Sequence, residues 1–281
     1  MLALLERDAV MENRLRGAVV PPPPRHPEAR RRFALLHSLI YDARRRHRLI
    51  LIGALLALAL VVGLTLLARL YTVLPVDVWF TQELQEHQLA LVSRLMYGVS
   101  IFGYTPWSAL TVAVGTLLIG LLLGWRDGLY LLGITVGQGL VNALIKYTIG
   151  RPRPINTLVE VFVPEQGFSF PSGHVMFYTV FFGFLLCLVL TRMPHTRWRW
   201  LFGAPLVALL LLIGPSRIIL GAHWLSDVLA AYLLGLVILV LAIEGYIYYL
   251  APHTPAAEGG LIRWHDARNE LGPSETDSGR A

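Results

Sequence analysis

Residues 49–73, LILIGALLALALVVGLTLLARLYTV, contain no charged side chain before Arg69. At about 1.5 Å rise per residue, roughly 20 apolar residues in a helix cross the hydrocarbon layer of a bilayer. A helix packed on a soluble core keeps one polar face; this stretch has none and reads as a membrane span. Working outward, five more stretches of the same character follow at 106–124, 128–148, 173–191, 200–216 and 224–250. The predicted fold is therefore all-α, a polytopic membrane protein of six transmembrane helices. Between the first two spans, residues 75–104 alternate Trp79, Phe80, Leu84, Leu91, Leu95 and Met96 with Gln, Glu and His. That segment is too polar to span and reads as interfacial helix.

Composition agrees with this reading. Of 281 residues, 55% are hydrophobic and 15% charged, where a soluble domain carries roughly 25% charged residues. The apolar content excludes disorder over most of the chain, and a lone Cys187 excludes an intramolecular disulfide scaffold.

Charge is distributed unevenly. Residues 1–48 hold eleven Arg against Glu6, Asp8, Glu12, Glu28 and Asp42, a balance of +6 that equals the net charge of the whole chain. A basic tail beside a span favours anionic membrane lipids as its partner; nucleic acid is not expected, because no interleaved aromatics or reading helix accompany the patch. Residues 21–24 are four prolines, and Phe33, Leu36, Leu39 and Ile40 then recur at helical spacing among arginines. This predicts either a short surface helix or a solvated basic tether. Glu6, Asp8 and Glu12 interrupt the early apolar stretch, so it does not read as a cleaved signal. The expected organisation is a basic tail over 1–48, a six-span domain over 49–250, and a disordered tail over 251–281.

Basic residues in short loops stay cytoplasmic. Applied to the amino-terminal tail, Arg126 and the loop with Arg192, Arg197 and Arg199, the rule predicts both termini in the cytoplasm of a plasma (inner) membrane protein. Segments 75–105, 149–172 and 217–223 then face outward, and a cluster of Lys146, Arg151, Arg153 and Arg217 lies where the rule disfavours it. Gly133 and Gly137 form a GxxxG in the third span, read as intramolecular helix packing.

Three polar islands lie on that outer face. The first runs from Lys146 to Arg153 and Pro154. Lys146 is the only Lys in the chain, which suggests either a point charge on a slim stem or a snorkelling anchor. The second is Pro171-Ser172-Gly173-His174, opening the fourth span. Ser172 with the amides of Gly173 and His174 suits an anion at a helix amino terminus, and equally suits a plain helix start. In the third, Ser216-Arg217 leads to His223 and Asp227, four residues apart and hence on one helical face. There a carboxylate can fix the imidazole tautomer, or the pair simply ties helices together. Span counting puts all three islands on one side, although they lie up to 77 residues apart, and their cations and histidines suit a tetrahedral anion such as phosphate. No Asp/Glu/His set resembles a metal site, so no metal and no cofactor are expected.

The islands resemble the three motifs of the type 2 phosphatidic acid phosphatase family, KxxxxxxRP, PSGH and SRxxxxxHxxxD. They match in full at Lys146, Arg153 and Pro154, at 171–174, and at Ser216, Arg217, His223 and Asp227. Asp77 also resembles a family position. The resemblance implies a phosphohistidine mechanism, with His223 as nucleophile, Asp227 holding its imidazole, and His174 as acid and then base. It implies phosphate binding by Lys146, Arg153, Ser172, Gly173 and Arg217. Arg151, outside the motif, is read as meeting either a second phosphate or lipid headgroups. A site at the ends of membrane helices makes a lipid phosphate the expected substrate, isoprenoid or glycerolipid, with Phe168, Phe170 and Trp224 as tail guides or interface anchors. The alternatives are a lipid phosphotransferase using the same phosphohistidine and a non-catalytic lipid-binding protein. The sequence does not give an oligomeric state.

Overall fold

The computed structural model describes residues 27–86, 89–193 and 197–249. The proline run, residues 251–281 and the side chains of 27–47, including the apolar spacing from Phe33, lie outside that description. The chain divides into two compact units, 1–55 and 56–281. The described elements are all helical: α1 Pro27–Leu70, α2 Pro75–Glu86, α3 Ala90–Ser100, a 3-10 turn Ile101–Gly103, α4 Trp107–Leu122, α5 Trp125–Ile149, α6 Gly173–Arg192, α7 Arg197–Ile219 and α8 Leu225–Tyr249.

Among the described residues, five helices are long and apolar enough to cross a membrane: 48–70 within α1, and α5, α6, α7 and α8. A sixth exists only as a bent pair, Ala90–Gly103 with Trp107–Leu122, broken by 58°. The expected second span is thus a short α4 whose bent continuation is α3. Pro106, which has no N–H to donate to a helical ladder, sits between them.

Helix α6 is the axis of the larger unit. Its residues 175–184 are all buried, and it packs mainly on α7 and α8. Because α6 starts at Gly173, this packing seats His174 at one end of the core. Helices α4 and α5 approach at Gly120 and Gly128, where a Cβ on Gly128 would lie 2.5 Å from the Thr116 carbonyl oxygen. Gly133 and Gly137 would meet nothing within 4 Å, so the GxxxG does not pack against the described residues as expected.

Two turns place the loop between α5 and α6. Gly150 ends α5 in the left-handed region, φ 66°, and its N–H donates to the Lys146 carbonyl. Pro152 and Pro154 then prevent further helix. At the end of α7, Gly221 (φ 65°) comes so close to the Glu160 carbonyl that a Cβ would stand 2.1 Å from its oxygen. The Phe162 N–H donates to the Leu220 carbonyl beside it. From α2, Gln82 donates to the Leu158 carbonyl, and Gln85 to those of Glu160 and Ile219. The loop is therefore tied to both α2 and α7.

Candidate active site

The three islands converge. Arg153 donates from Nη1 to the Ala222 carbonyl at 2.9 Å and lies 3.2 Å from His223 Nε2. Arg217 is fully buried, donates from Nη1 to the Tyr104 hydroxyl at 2.6 Å and stacks over that ring. The Tyr104 ring meets His174 edge to face at 4.5 Å between centroids. Gly103 lies so close that a Cβ there would sit 2.1 Å from His174 Cδ2. The turn between α3 and α4 thus forms one wall of the site, a contribution the sequence did not signal.

Gly173 lets α5 close on the second island: a Cβ would come within 3.2 Å of Asn142 Oδ1 and 3.9 Å of Lys146 Cε. Lys146 turns inward instead of snorkelling, and its Nζ donates to the carbonyls of Phe168 and Ser169. Ser172 occupies the helix-capping position of α6 without making a capping bond. Its hydroxyl is buried without a partner among the described residues, as are His174 Nε2, Arg153 Nε, Arg217 Nε and His223 Nδ1. Buried polar atoms are normally satisfied; His223 Nδ1 faces Asp227, while the other four, most of them donors, suit an anion with several acceptor oxygens.

His223 precedes α8, which begins at Leu225, so the pair does not share a helical face as expected; the two side chains still face each other across the turn, with Nδ1 to Oδ2 at 3.6 Å, an ion-pair distance and not yet a hydrogen bond. Oδ2 instead accepts from the Trp224 N–H at 2.9 Å. The imidazole is pushed well below its ordinary value of 6.5, first by burial and then by Arg153, Lys146 and Arg217, so at neutral pH it is the uncharged, nucleophilic form.

An acidic residue in the α5–α6 loop went unread. Glu165 pairs with Arg153 at 2.8 Å and with Arg217, and stands 4.0 Å from His223 Nε2. One carboxylate thus already draws three of the expected site residues together. No periodicity marks it, because it lies in irregular backbone.

Similarity to known proteins follows the same residues. A model of the PAP2 superfamily matches residues 127–249. Similar proteins include phosphatidylglycerophosphatase B of Bacillus subtilis, 28% identical over 55% of this chain and 75% of that one. The undecaprenyl-diphosphatase of Sulfolobus acidocaldarius is 30% identical over 40% of this chain and 54% of its own. The lipid A 4'-phosphatase of Rhizobium leguminosarum is 36% identical over 46% and 51% respectively, so the chain spans about half the length of these last two. The crystal structure of a transmembrane PAP2 type phosphatidylglycerolphosphate phosphatase from Bacillus subtilis superposes with a TM-score of 0.62 at 22% identity, covering 70% of this chain and 97% of that one. The chain is thus a multi-pass membrane protein similar to lipid phosphatases of the PAP2 superfamily.

Several expectations need correction inside this PAP2 frame. Arg151 meets neither a second phosphate nor lipid headgroups; it is fully buried against Asp77 and Asp227. Ser216, matched in the third motif but not expected to bind phosphate, donates to the Met96 carbonyl and bonds Ser100. Phe170 and Trp224 are buried, so neither meets lipid, whereas Phe168 is partly exposed and packs on Tyr147.

Proposed function

We propose that this protein hydrolyses a phosphate monoester or diphosphate carried on a lipid, through a phosphohistidine at His223, at the outer membrane face. The observation that carries the proposal is the grip of Arg153 and Arg217 on the single carboxylate of Glu165, 4.0 Å from His223 Nε2. A phosphoryl group in that position offers its equatorial oxygens to Arg153, Arg217, Lys146, the Ser172 hydroxyl and the Gly173 amide. Its phosphorus then faces His223 Nε2.

The His223 Nε2 lone pair forms the N–P bond as the bond from phosphorus to the lipid oxygen breaks, and His174 gives that oxygen a proton. Neutral His174 then accepts a proton from water, which attacks phosphorus and releases His223 and orthophosphate. Asp227 faces the Nδ1 side of the ring throughout. In this reading the positive charge that the phosphoryl group needs is supplied by side chains, and no step calls for a metal.

Two features favour a lipid substrate: the site closes the ends of membrane helices, and an apolar cavity of about 660 Å³ lies against α4 and α5 with Gly103 and Phe177 in its wall. Phosphate release from undecaprenyl diphosphate, phosphatidylglycerophosphate, phosphatidate and lysophosphatidate, in EDTA and with His223→Ala as control, tests the chemistry. Turnover that survives His223→Ala refutes the phosphohistidine. Release that appears only after a hydroxyl acceptor is added replaces hydrolysis by phosphotransfer. Labelling of cysteines placed in the α5–α6 loop from outside intact cells tests the orientation, and labelling only after lysis refutes it.

A further inference from the structure

We propose that Asp77 is a positioning residue for the nucleophile: by neutralising Arg151 it leaves Asp227 one uncompensated negative charge to face the imidazolium that forms at His223. The proposal rests on the reading of His223 as nucleophile and adds a residue outside the 127–249 PAP2 segment.

The geometry is a closed set of buried charges. Arg151 Nη2 donates to Asp77 Oδ2 at 2.7 Å, and Nη1 donates to Asp227 Oδ1 at 2.5 Å, with all three side chains fully buried. The remaining reach of the guanidinium goes to backbone and hydroxyl, Nε to the Thr72 carbonyl at 3.1 Å and Nη1 to Ser226 Oγ at 2.7 Å. Asp77 is fixed by the same turn of α8 that carries Asp227, accepting from the Ser226 N–H at 2.8 Å and the Ser226 hydroxyl at 2.7 Å. Two carboxylates and one guanidinium leave one net negative charge, and Asp227 Oδ2, which the guanidinium does not engage, accepts from the Trp224 N–H and stands 3.6 Å from His223 Nδ1.

That surplus charge matters in the covalent step. When Nε2 bonds to phosphorus and Nδ1 keeps its proton, the ring becomes cationic. Arg153, Lys146 and Arg217 face it and oppose that charge, and His174 adds none while neutral. Glu165, the other anion near the ring, occupies the ground that the phosphoryl group must take. Asp227 is then the adjacent anion that stabilises the ring, and it does so fully only while Arg151 is neutralised elsewhere. An interaction that strengthens as charge develops lowers the barrier without tightening substrate binding.

The test compares Asp77→Asn with Asp77→Asn/Arg151→Gln on the full chain in detergent, measuring kcat, KM, the vanadate inhibition constant and acid-labile phosphoenzyme. Asp77→Asn leaves Arg151 and Asp227 as a neutral pair, so kcat falls about ten- to a hundredfold while KM and vanadate inhibition stay within about twofold. The double variant restores the net negative charge and recovers kcat to within about tenfold of wild type. A structural brace predicts the opposite order, with the double variant worse. The proposal is overturned by Asp77→Asn turnover within about twofold of wild type, or by a double variant as slow as the single one. Where the single variant is not recovered folded, the double variant's kcat alone decides between the same two outcomes. Wild type without phosphoenzyme, or turnover surviving His223→Ala, overturns the underlying reading of His223; a wild-type phosphoenzyme with undiminished Asp77→Asn turnover overturns only the role of Asp77.

Discussion

The carboxylate of Glu165 lies 2.8 Å from Arg153 Nη1, inside the group of side chains that a phosphate must engage. A tethered carboxylate competes with every incoming anion. The loop holding it is pinned at Val163, whose N–H donates to the Leu220 carbonyl, and at Ser169, whose N–H donates to the Arg151 carbonyl. Between those points Gly167 adopts φ 78°, a backbone state open to glycine that lets the segment turn.

Replacing Glu165 by Gln keeps the shape and removes the competing charge. If the carboxylate holds the cradle about nine-tenths of the time, apparent affinity for any phosphate is lowered about tenfold. Glu165→Gln is therefore expected to lower the inhibition constants of orthophosphate and vanadate, and the KM, by about tenfold, with kcat lowered if phosphate release becomes limiting. Unchanged inhibition constants in steady-state assays would show that Glu165 does not compete.

Gly103 is the contact that keeps the His174 ring in place. A Cβ 2.1 Å from Cδ2 cannot be accommodated without displacing the imidazole, and a misplacement of about 1 Å costs roughly a hundredfold in rate. Gly103→Ala is expected to lose about that factor in kcat while the melting temperature changes little. Activity within twofold of wild type would mean the turn yields instead of the ring.

The pH dependence has a defined sign. Burial and the neighbouring cations hold His223 well below 6.5, so the acid limb of kcat/KM that reports it is expected below pH 6.5. Removing a cation with Arg153→Gln makes the imidazolium easier to form and should move that limb to higher pH, whatever it does to the absolute rate. The folded state binds this proton more weakly than the unfolded chain, so stability falls as pH drops below about 6.5. A downward shift of the limb in Arg153→Gln would contradict the electrostatics.

Arg151→Ala leaves Asp77 and Asp227 as two buried, unpaired carboxylates. Breaking a buried ion pair from one side costs about 3–5 kcal/mol. The expected result is a large drop in the midpoint of thermal unfolding in detergent, partly recovered when Asp77→Asn is added. An unchanged midpoint would show that water or a rearranged partner satisfies the two acids.

Sequence alone determined the membrane class, most of the spans and the three motifs, because crossing a bilayer is a local property: each stretch succeeds or fails by its own length and apolarity. It also carried Lys146, Arg153, His174, Arg217, His223 and Asp227 to one end of the helices. What it left undecided was which way each charge turns. Arg151 and Arg153 lie two residues apart in one proline-rich loop, with nothing in their spacing to separate them. The fold sends Arg151 inward to Asp77 and Asp227, 74 and 76 residues away, and Arg153 to Glu165 and His223. Glu165, Tyr104 and Gly103 were silent for the same reason. Their roles come from distances across helices, and an electrostatic partner is chosen by proximity in space, which only the packing of α2, α6, α7 and α8 around the loop provides.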